Sequence, residues 1–304
     1  MANAREIKSR IKSVQDTKKI TTAMYLIAST RLRKARQSLD ATRPYFTTLQ
    51  TALSRLIRHM PEVESIYLGT GNYNDDGVMR RGYLVITADK GLAGAYNNNI
   101  QKEVLRQIKA MAGPWELYVV GECGRQFFQH HGYQIEETFH YTAQNPTIDR
   151  ARHIASVLLE RYKTGALDEI YIAYTDMENS VTATPRFFKL APLEKGYFRP
   201  MEMDEDGYGE SCEFMPDLET LVNRMIPDII AGYIYSALVD SYCAEQNARM
   251  MAMDAANRNA EEMLAELSVS YNRMRQAAIT QEITEVAGGA RAQKQKQVSR
   301  RERV

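Results

Sequence analysis

The 304-residue chain has nine prolines, and none lies in the 77 residues after Pro227. Beyond that proline the only glycines are Gly232, Gly288 and Gly289. Little in this stretch can break a helix, and at ~1.5 Å rise per residue the segment from Asp228 to Val286 makes a rod on the order of 90 Å long. Cysteine is scarce: Cys123, Cys212 and Cys243 are odd in number, far apart and not at metal-ligand spacing. That excludes a disulfide scaffold and reads as reduced thiols of a cytosolic protein. No apolar run approaches the ~20 residues of a membrane-spanning helix. The N-terminus carries no apolar signal core and passes straight into a helical pattern, leaving no room for a transit peptide.

Catalytic signatures are also missing. There is no G-x-G-x-x-G, no phosphate loop ending in Gly-Lys-Ser/Thr and no nucleophile elbow. His130 and His131 are adjacent, so their side chains diverge, and His59, His140 and His153 have no Cys or carboxylate at ligand spacing. Asp204-Glu205-Asp206 lacks the twelve-residue calcium-loop pattern. No catalytic, cofactor or metal residue is therefore assigned.

What the chain does have is periodicity. Alternating steps of four and three residues from Ile7 give Ile7, Ile11, Val14, Lys18, Thr21, Tyr25, Ala28, Leu32, Ala35, Leu39, Thr42, Phe46, Leu49, Leu53, Leu56 and Met60. A sustained seven-residue apolar repeat implies a left-handed coiled coil. Pro44 is expected to kink or restart this helix. The C-terminal segment carries two registers. One runs Ile230, Ile234, Ala237, Ser241, Ala244, Ala248, Met251, Ala255; the other runs Met253, Ala256, Ala260, Met263, Leu267, Ser270, Met274, Ala277. Its small alanines permit close approach of a partner helix, and Met fills irregular gaps. The economical arrangement pairs the two ends antiparallel within one chain.

The net charge of +1 hides an asymmetry. Residues 1–60 carry 13 Lys/Arg against 3 Asp/Glu, residues 61–217 carry 15 against 24, and residues 218–304 carry 11 of each. A basic first helix suits an acidic partner or simply a solvated face. No aromatic residue interleaves Lys12–Lys19, which argues against stacking on single-stranded nucleic acid.

Residues 82–193 alternate strand and helix. Strands are expected at 83–87, 115–121, 133–139, 170–174 and 186–190, with helices at 100–111, 125–131 and from Pro146 to Tyr162. Repeating βαβ units imply a mostly parallel sheet. The turn Asp89-Lys90-Gly91-Leu92-Ala93-Gly94 follows the first strand, where α/β folds bind phosphates, but it fits neither phosphate-binding pattern. The fold class is thus α/β plus long α: an antiparallel coiled coil of N- and C-terminal helices with a central Rossmann-like α/β domain. The expected boundaries are 1–60 for the first helix, 80–195 for the α/β domain, 217–287 for the long C-terminal helix, and 288–304 for a basic, disordered tail.

Three segments carry a family resemblance. Thr17-Lys18-Lys19-Ile20-Thr21-Thr22-Ala23-Met24 with Arg31-Leu32-Arg33-Lys34-Ala35 resembles the N-terminal helix of the gamma subunit of F-type ATP synthase. Asp89-Lys90-Gly91-Leu92-Ala93-Gly94 is similar to that family's loop, with Ala93 where Cys is usual. Ala248–Met253 and Tyr271–Glu285 resemble its C-terminal helix. The resemblance spans residues 1 to about 292.

It implies a non-catalytic rotor, the central stalk, coupling transmembrane proton flow to ATP synthesis or hydrolysis on a ring of three alpha and three beta subunits. The implied partners are the alpha and beta subunits, the epsilon subunit and the c-ring, with no nucleic acid, no cofactor and no direct membrane insertion. The implied location is the cytoplasmic face of the bacterial inner membrane. Met24, Arg249, Arg275, Gln276, Thr280 and Glu282 match positions that touch the alpha–beta ring; packing within the coiled coil is the other reading of Met24. Two features depart from the family. The chain runs past Gly289-Ala290-Arg291-Ala292 into a segment with five basic residues and one acid, and Met215 replaces an acid in Cys212–Asp217. The acidic loop 202–213 is too short for the redox insertion of the chloroplast form. The competing readings are a nucleotide-binding α/β enzyme with coiled-coil arms and a basic coiled-coil tether for nucleic acid; the near-neutral C-terminal helix argues against the tether.

Overall fold

A computed structural model describes residues 2–59, 65–69, 78–111, 113–177, 179, 182–193 and 217–301. Met60, Cys212, Met215 and the acidic loop 202–213 lie outside them. In chain order the elements are α1 (Ala2–His59), β1 (Arg81–Ile86), α2 (Tyr96–Ala110), β2 (Trp115–Val120), α3 (Glu122–His130), α4 (Ile148–Lys163), β3 (Glu169–Met177), β4 (Ala183–Ala191) and α5 (Leu218–Arg301). They fall into two units: Ile27–Met250, and Met1–Leu26 with Met251–Val304.

In the unit Ile27–Met250 the sheet order is β2-β1-β3-β4. β1 pairs parallel with β2 and β3, while β4 returns antiparallel on β3. Every residue of β1 after Arg81 is buried because both faces are covered. One face sends Tyr83, Val85, Leu117 and Val119 against Ile100, Val104 and Ile108 of α2 and Phe128 of α3. The alternate residues Leu84, Ile86, Tyr118, Val120, Ile170 and Ile172 meet α4 through Ile154, Leu158 and Tyr162. Each such side chain contributes roughly 1.5–3 kcal/mol on full burial.

That second core does not stop at α4. Ala35, Leu53 and Ile57 of α1 and Val222, Ile226, Ile230, Ile234 and Leu238 of α5 belong to it. Segments of α1 and α5 within the unit Ile27–Met250 thus share one core with the sheet. The apolar stripes of these helix segments need cover, and the sheet supplies it along with the helices themselves.

Other expectations are corrected by local chemistry. Residues 133–139 form no strand, and 137–138 are a turn. Glu136 takes Thr138 N–H and Thr138 Oγ1–H on its carboxylate, and its carbonyl accepts from Phe139 N–H, which closes the chain on itself. α1 neither stops nor restarts at Pro44. The hydroxyl of Thr48 donates to the Pro44 carbonyl at 2.9 Å, one turn on. α5 starts where Asp217 accepts both the Thr220 N–H (2.7 Å) and its hydroxyl (2.8 Å), a side-chain cap. At its other end the helix continues through Gly288 and Gly289 to Arg301, where a disordered tail was expected. Two glycines cost a helix only about 1 kcal/mol each, and the Gln, Lys and Arg residues beyond them are good helix formers.

In the unit Met1–Leu26 with Met251–Val304 the two helices run antiparallel. Thr21 donates to Asn257 (2.5 Å), as does Thr22 (3.4 Å), and Lys18 meets Glu261 at 2.7 Å. The predicted α1 stripe is the shielded one: Ile7, Ile11, Val14, Lys18, Thr21 and Tyr25 are all half-buried, and their neighbours are mostly exposed. Opposite them the shielded α5 positions are Met253, Asn257, Ala260, Leu264, Leu267, Tyr271 and Met274. The sequence-based register slips by one residue at three of its positions. Met263, Ser270 and Ala277 face outward, and Leu264, Tyr271 and Ala278 take their places. At Met251 and Ala255 the earlier register has also turned outward.

Gly232 of α5 marks a close helix contact. A Cβ there would lie 2.3 Å from Cδ1 and 2.6 Å from Cε1 of Phe46. Overpacking of this kind costs about 1–3 kcal/mol, against about 1 kcal/mol gained from the better helix propensity of alanine. Gly232→Ala is expected to lower stability in urea denaturation by about 1 kcal/mol net, and Phe46→Leu in the same chain to remove that loss.

Candidate functional site

The sequence-derived contact residues do not form one cluster. Arg275, Gln276, Thr280 and Glu282 lie along α5, all exposed, and Met24 lies half-buried on α1 beside the shielded Tyr25. Arg249 lies elsewhere, in the unit Ile27–Met250, and is 8% exposed.

The α5 group has an internal logic. From Ile279 to Gln293 every residue is exposed. Among them Ile279, Ile283 and Val286 are 47%, 63% and 73% exposed. Steps of four and three put these three on one face. At 100° per residue, Arg275 and Glu282 flank that face on one side, and Gln276 and Thr280 flank it on the other. Extending the Thr21–Asn257 register brings Ala2, the first described residue of α1, opposite residue 276. The Thr280 hydroxyl donates to the Gln276 carbonyl (2.9 Å), and that of Thr284 to the Thr280 carbonyl (2.8 Å). The result is an apolar stripe with polar flanks that no described residue covers.

The second arrangement surrounds the turn after β1. Asp89 is its hub: its carboxylate accepts from Glu122 N–H (3.2 Å), Thr142 Oγ1–H (2.5 Å), Ala143 N–H (3.0 Å) and Gln144 N–H (3.2 Å). Asn97 Oδ1 accepts from Ala88 N–H at 2.9 Å. Gly121, which precedes α3, has φ +94, and a Cβ there would stand 2.3 Å from the Thr87 carbonyl. Only glycine lets the two loops approach so closely. From α5, Arg249 sends Nη1 to Glu245 (2.6 Å) and Nη2 to the carbonyls of Lys90 and Gly91 (3.0 Å each).

These bonds bear on phosphate binding. A phosphate on this turn needs free amides and no negative charge beside them. Here the amides of Glu122, Ala143 and Gln144 are already taken by the Asp89 carboxylate. Asp89 thus puts a negative charge at the base of the turn and occupies the amides that flank it. Among the described residues no group of three or more His, Cys, Asp or Glu could hold a metal ion. No described helix is long and apolar enough to cross a membrane.

Sequence reading missed Glu245 and the role of Asp89. Glu245 is buried, which pushes its carboxyl upward in pKa; Arg249 opposes that shift, Asp89 adds to it, and Arg31 opposes it. The available signal was Glu-x-x-x-Arg, the only charged residues between Asp240 and Asp254, where charges four apart pair on one face.

A further carboxylate carries a pH prediction. Burial lifts Asp240 of α5 to about 6, the charge on Asp176 adds to this, and Arg43 opposes it. A carboxyl raised in the folded state contributes stability that is fully present below its unfolded value near 4 and is lost as pH rises through 6. Asp240→Asn is therefore expected to raise stability at pH 7.5 by on the order of 2 kcal/mol, with no gain at pH 4. Thermal melts at both pH values check this.

The comparisons fit this layout. The family described as ATP synthase matches residues 3–293. The ATP synthase gamma chain of Ruminiclostridium cellulolyticum is 40% identical over 291 residues, covering 95% of this chain and 98% of the relative. The "ATP synthase gamma chain, sodium ion specific" of Acetobacterium woodii is 35% identical, covering 95% and 98%. A chain from the mitochondrial ATP synthase of Euglena gracilis, solved as an assembly with F1 and c-ring, superposes with a TM-score of 0.64 at 17% identity, over 96% of this chain and 94% of its own. With matches of this extent to both ends and the middle, the chain belongs to the ATP synthase gamma-chain family.

Proposed function

We propose that the chain is the central-stalk rotor of an F-type ATP synthase: it couples ion flow through the membrane sector to ATP synthesis or hydrolysis on an alpha–beta ring and has no catalytic site of its own. The observation that carries this is the uncovered Ile279–Ile283–Val286 stripe with Arg275, Gln276, Thr280 and Glu282 along its flanks. A single helix is asymmetric about its axis. Inside a ring of alternating subunits it offers the apolar stripe to one neighbour, the Arg275–Glu282 flank to a second and the Gln276–Thr280 flank to a third. A partner shifts a conformational equilibrium only through unequal contacts with its states, and this helix makes unequal contacts at every angle.

The six sequence-derived residues take different parts in this proposal. Arg275, Gln276, Thr280 and Glu282 touch the ring directly. Met24 serves the coiled coil and its rim. Arg249 acts inside the chain. The unit Ile27–Met250 meets the epsilon subunit and the c-ring, and the whole sits peripherally on the cytoplasmic face of a bacterial inner membrane. The occupied amides around Asp89 argue against the nucleotide-enzyme reading.

Purified chain is expected to hydrolyse no ATP alone and to be required for full hydrolysis by an alpha–beta mixture. Ile283→Asp is expected to cut that restored rate at least about ten-fold, equivalent to roughly 1.4 kcal/mol, with an unchanged melting midpoint because the side chain is exposed. Full activity of the Ile283→Asp complex would overturn the assignment of this stripe.

A further inference from the structure

Leu92 breaks two rules at once. It is a large apolar residue 65% exposed at a loop apex, and its φ is +62. Left-handed backbone is uncommon for a residue with a bulky side chain and persists only where the surroundings over-determine it. Here they do. On one side, the carbonyls of the two preceding residues, Lys90 and Gly91, are both held by Arg249 Nη2. On the other, Ala93 is buried with Ala88, Tyr96 and Ala244. Asp89 gathers four donors at the base of the loop, and Asn97 Oδ1 accepts the Ala88 amide.

The Arg249 side chain hydrogen-bonds this loop to α5. Its guanidinium is nearly buried and pairs with Glu245, itself 3% exposed. Glu245 Oε1 accepts from Arg249, and its buried Oε2 has no hydrogen-bond partner among the described residues. Glu245 thus fixes the fork, and the fork fixes the loop. A planar guanidinium reaches a carboxylate and two carbonyls together; an ammonium on a flexible stem does not reproduce that geometry.

We propose that Arg249 is a positioning residue: with Glu245 it locks the Asp89–Gly94 loop to α5, so that Leu92 is held at a fixed orientation on that helix and turns with it as one body. This reassigns Arg249 from direct partner contact to presentation of a contact. It deepens the rotor reading and rests on it only for the hydrolysis arm of the test.

The first arm uses the full chain alone. Arg249→Lys keeps a cation beside Glu245 and loses the fork. It is expected to raise amide hydrogen exchange across residues 89–96 at least ten-fold, while the melting midpoint stays close to that of the parent. Arg249→Gln should do the same or more. Unchanged exchange in the Lys variant overturns the lock. The second arm uses the complex with alpha and beta subunits, in a double-mutant cycle. Leu92→Ala and Arg249→Lys are each expected to slow ATP hydrolysis, and the double variant to be no slower than the slower single. Multiplied losses would mean that Arg249 acts by some route other than Leu92, and would overturn the presentation role. Should the parent chain itself fail to support hydrolysis, the rotor reading fails, while the exchange arm still decides the lock.

Discussion

An apolar stripe on a helix has to be covered, and α5 carries one for most of its 84 residues. Everything else in the chain is arranged around supplying that cover. Between residues 218 and 250 it comes from α1 and the sheet, in one continuous core that includes Ile226, Ile230, Ile234 and Leu238. From Met253 to Met274 α1 supplies it, through a stripe that begins at Ile7. From Ile279 to Gln293 none of the described residues supplies it. The functional conclusion follows from that last segment, because hydrophobic burial is the dominant favourable term in most association.

The length of cover also explains how the register is held. A heptad stripe of alanines and methionines tolerates slippage, since small and flexible side chains specify little. Polar positions inside the stripe correct this. Thr21 on Asn257 and Lys18 on Glu261 give the pair one preferred alignment, much as a buried polar residue sets register in a coiled coil. In the other unit, Gly232 under the Phe46 ring does the same by shape.

Much of this was legible in the sequence. The α1 stripe from Ile7 to Leu56 required only a count of fours and threes, and each of its positions is at least half-buried. The β1 run Tyr83–Ile86 was legible because burial on both faces makes a strand continuously apolar. Two of the features the sequence hid share a cause: partners distant in sequence. The α5 register slipped because Met263 and Leu264, or Ser270 and Tyr271, can be told apart only by the helix opposite. The strand expected at 133–139 was lost to a turn that Glu136 makes with Thr138. The intrachain bonds of Arg249 were hidden because Lys90 and Gly91, which it holds, are 159 and 158 residues away. The continuation of α5 to Arg301 was missed for the opposite reason: two glycines and a basic composition suggested disorder, although nothing there forbids a helix.

The central claim is that this chain turns inside a ring whose members it contacts unequally. It is tested most directly by fixing an alpha–beta ring to a surface, attaching a visible probe to a cysteine introduced on an exposed face of the α/β region, and adding ATP. The account predicts sustained rotation in one direction, stepped and dependent on ATP concentration. A complex that hydrolyses ATP at the full rate while the probe stays still would contradict it.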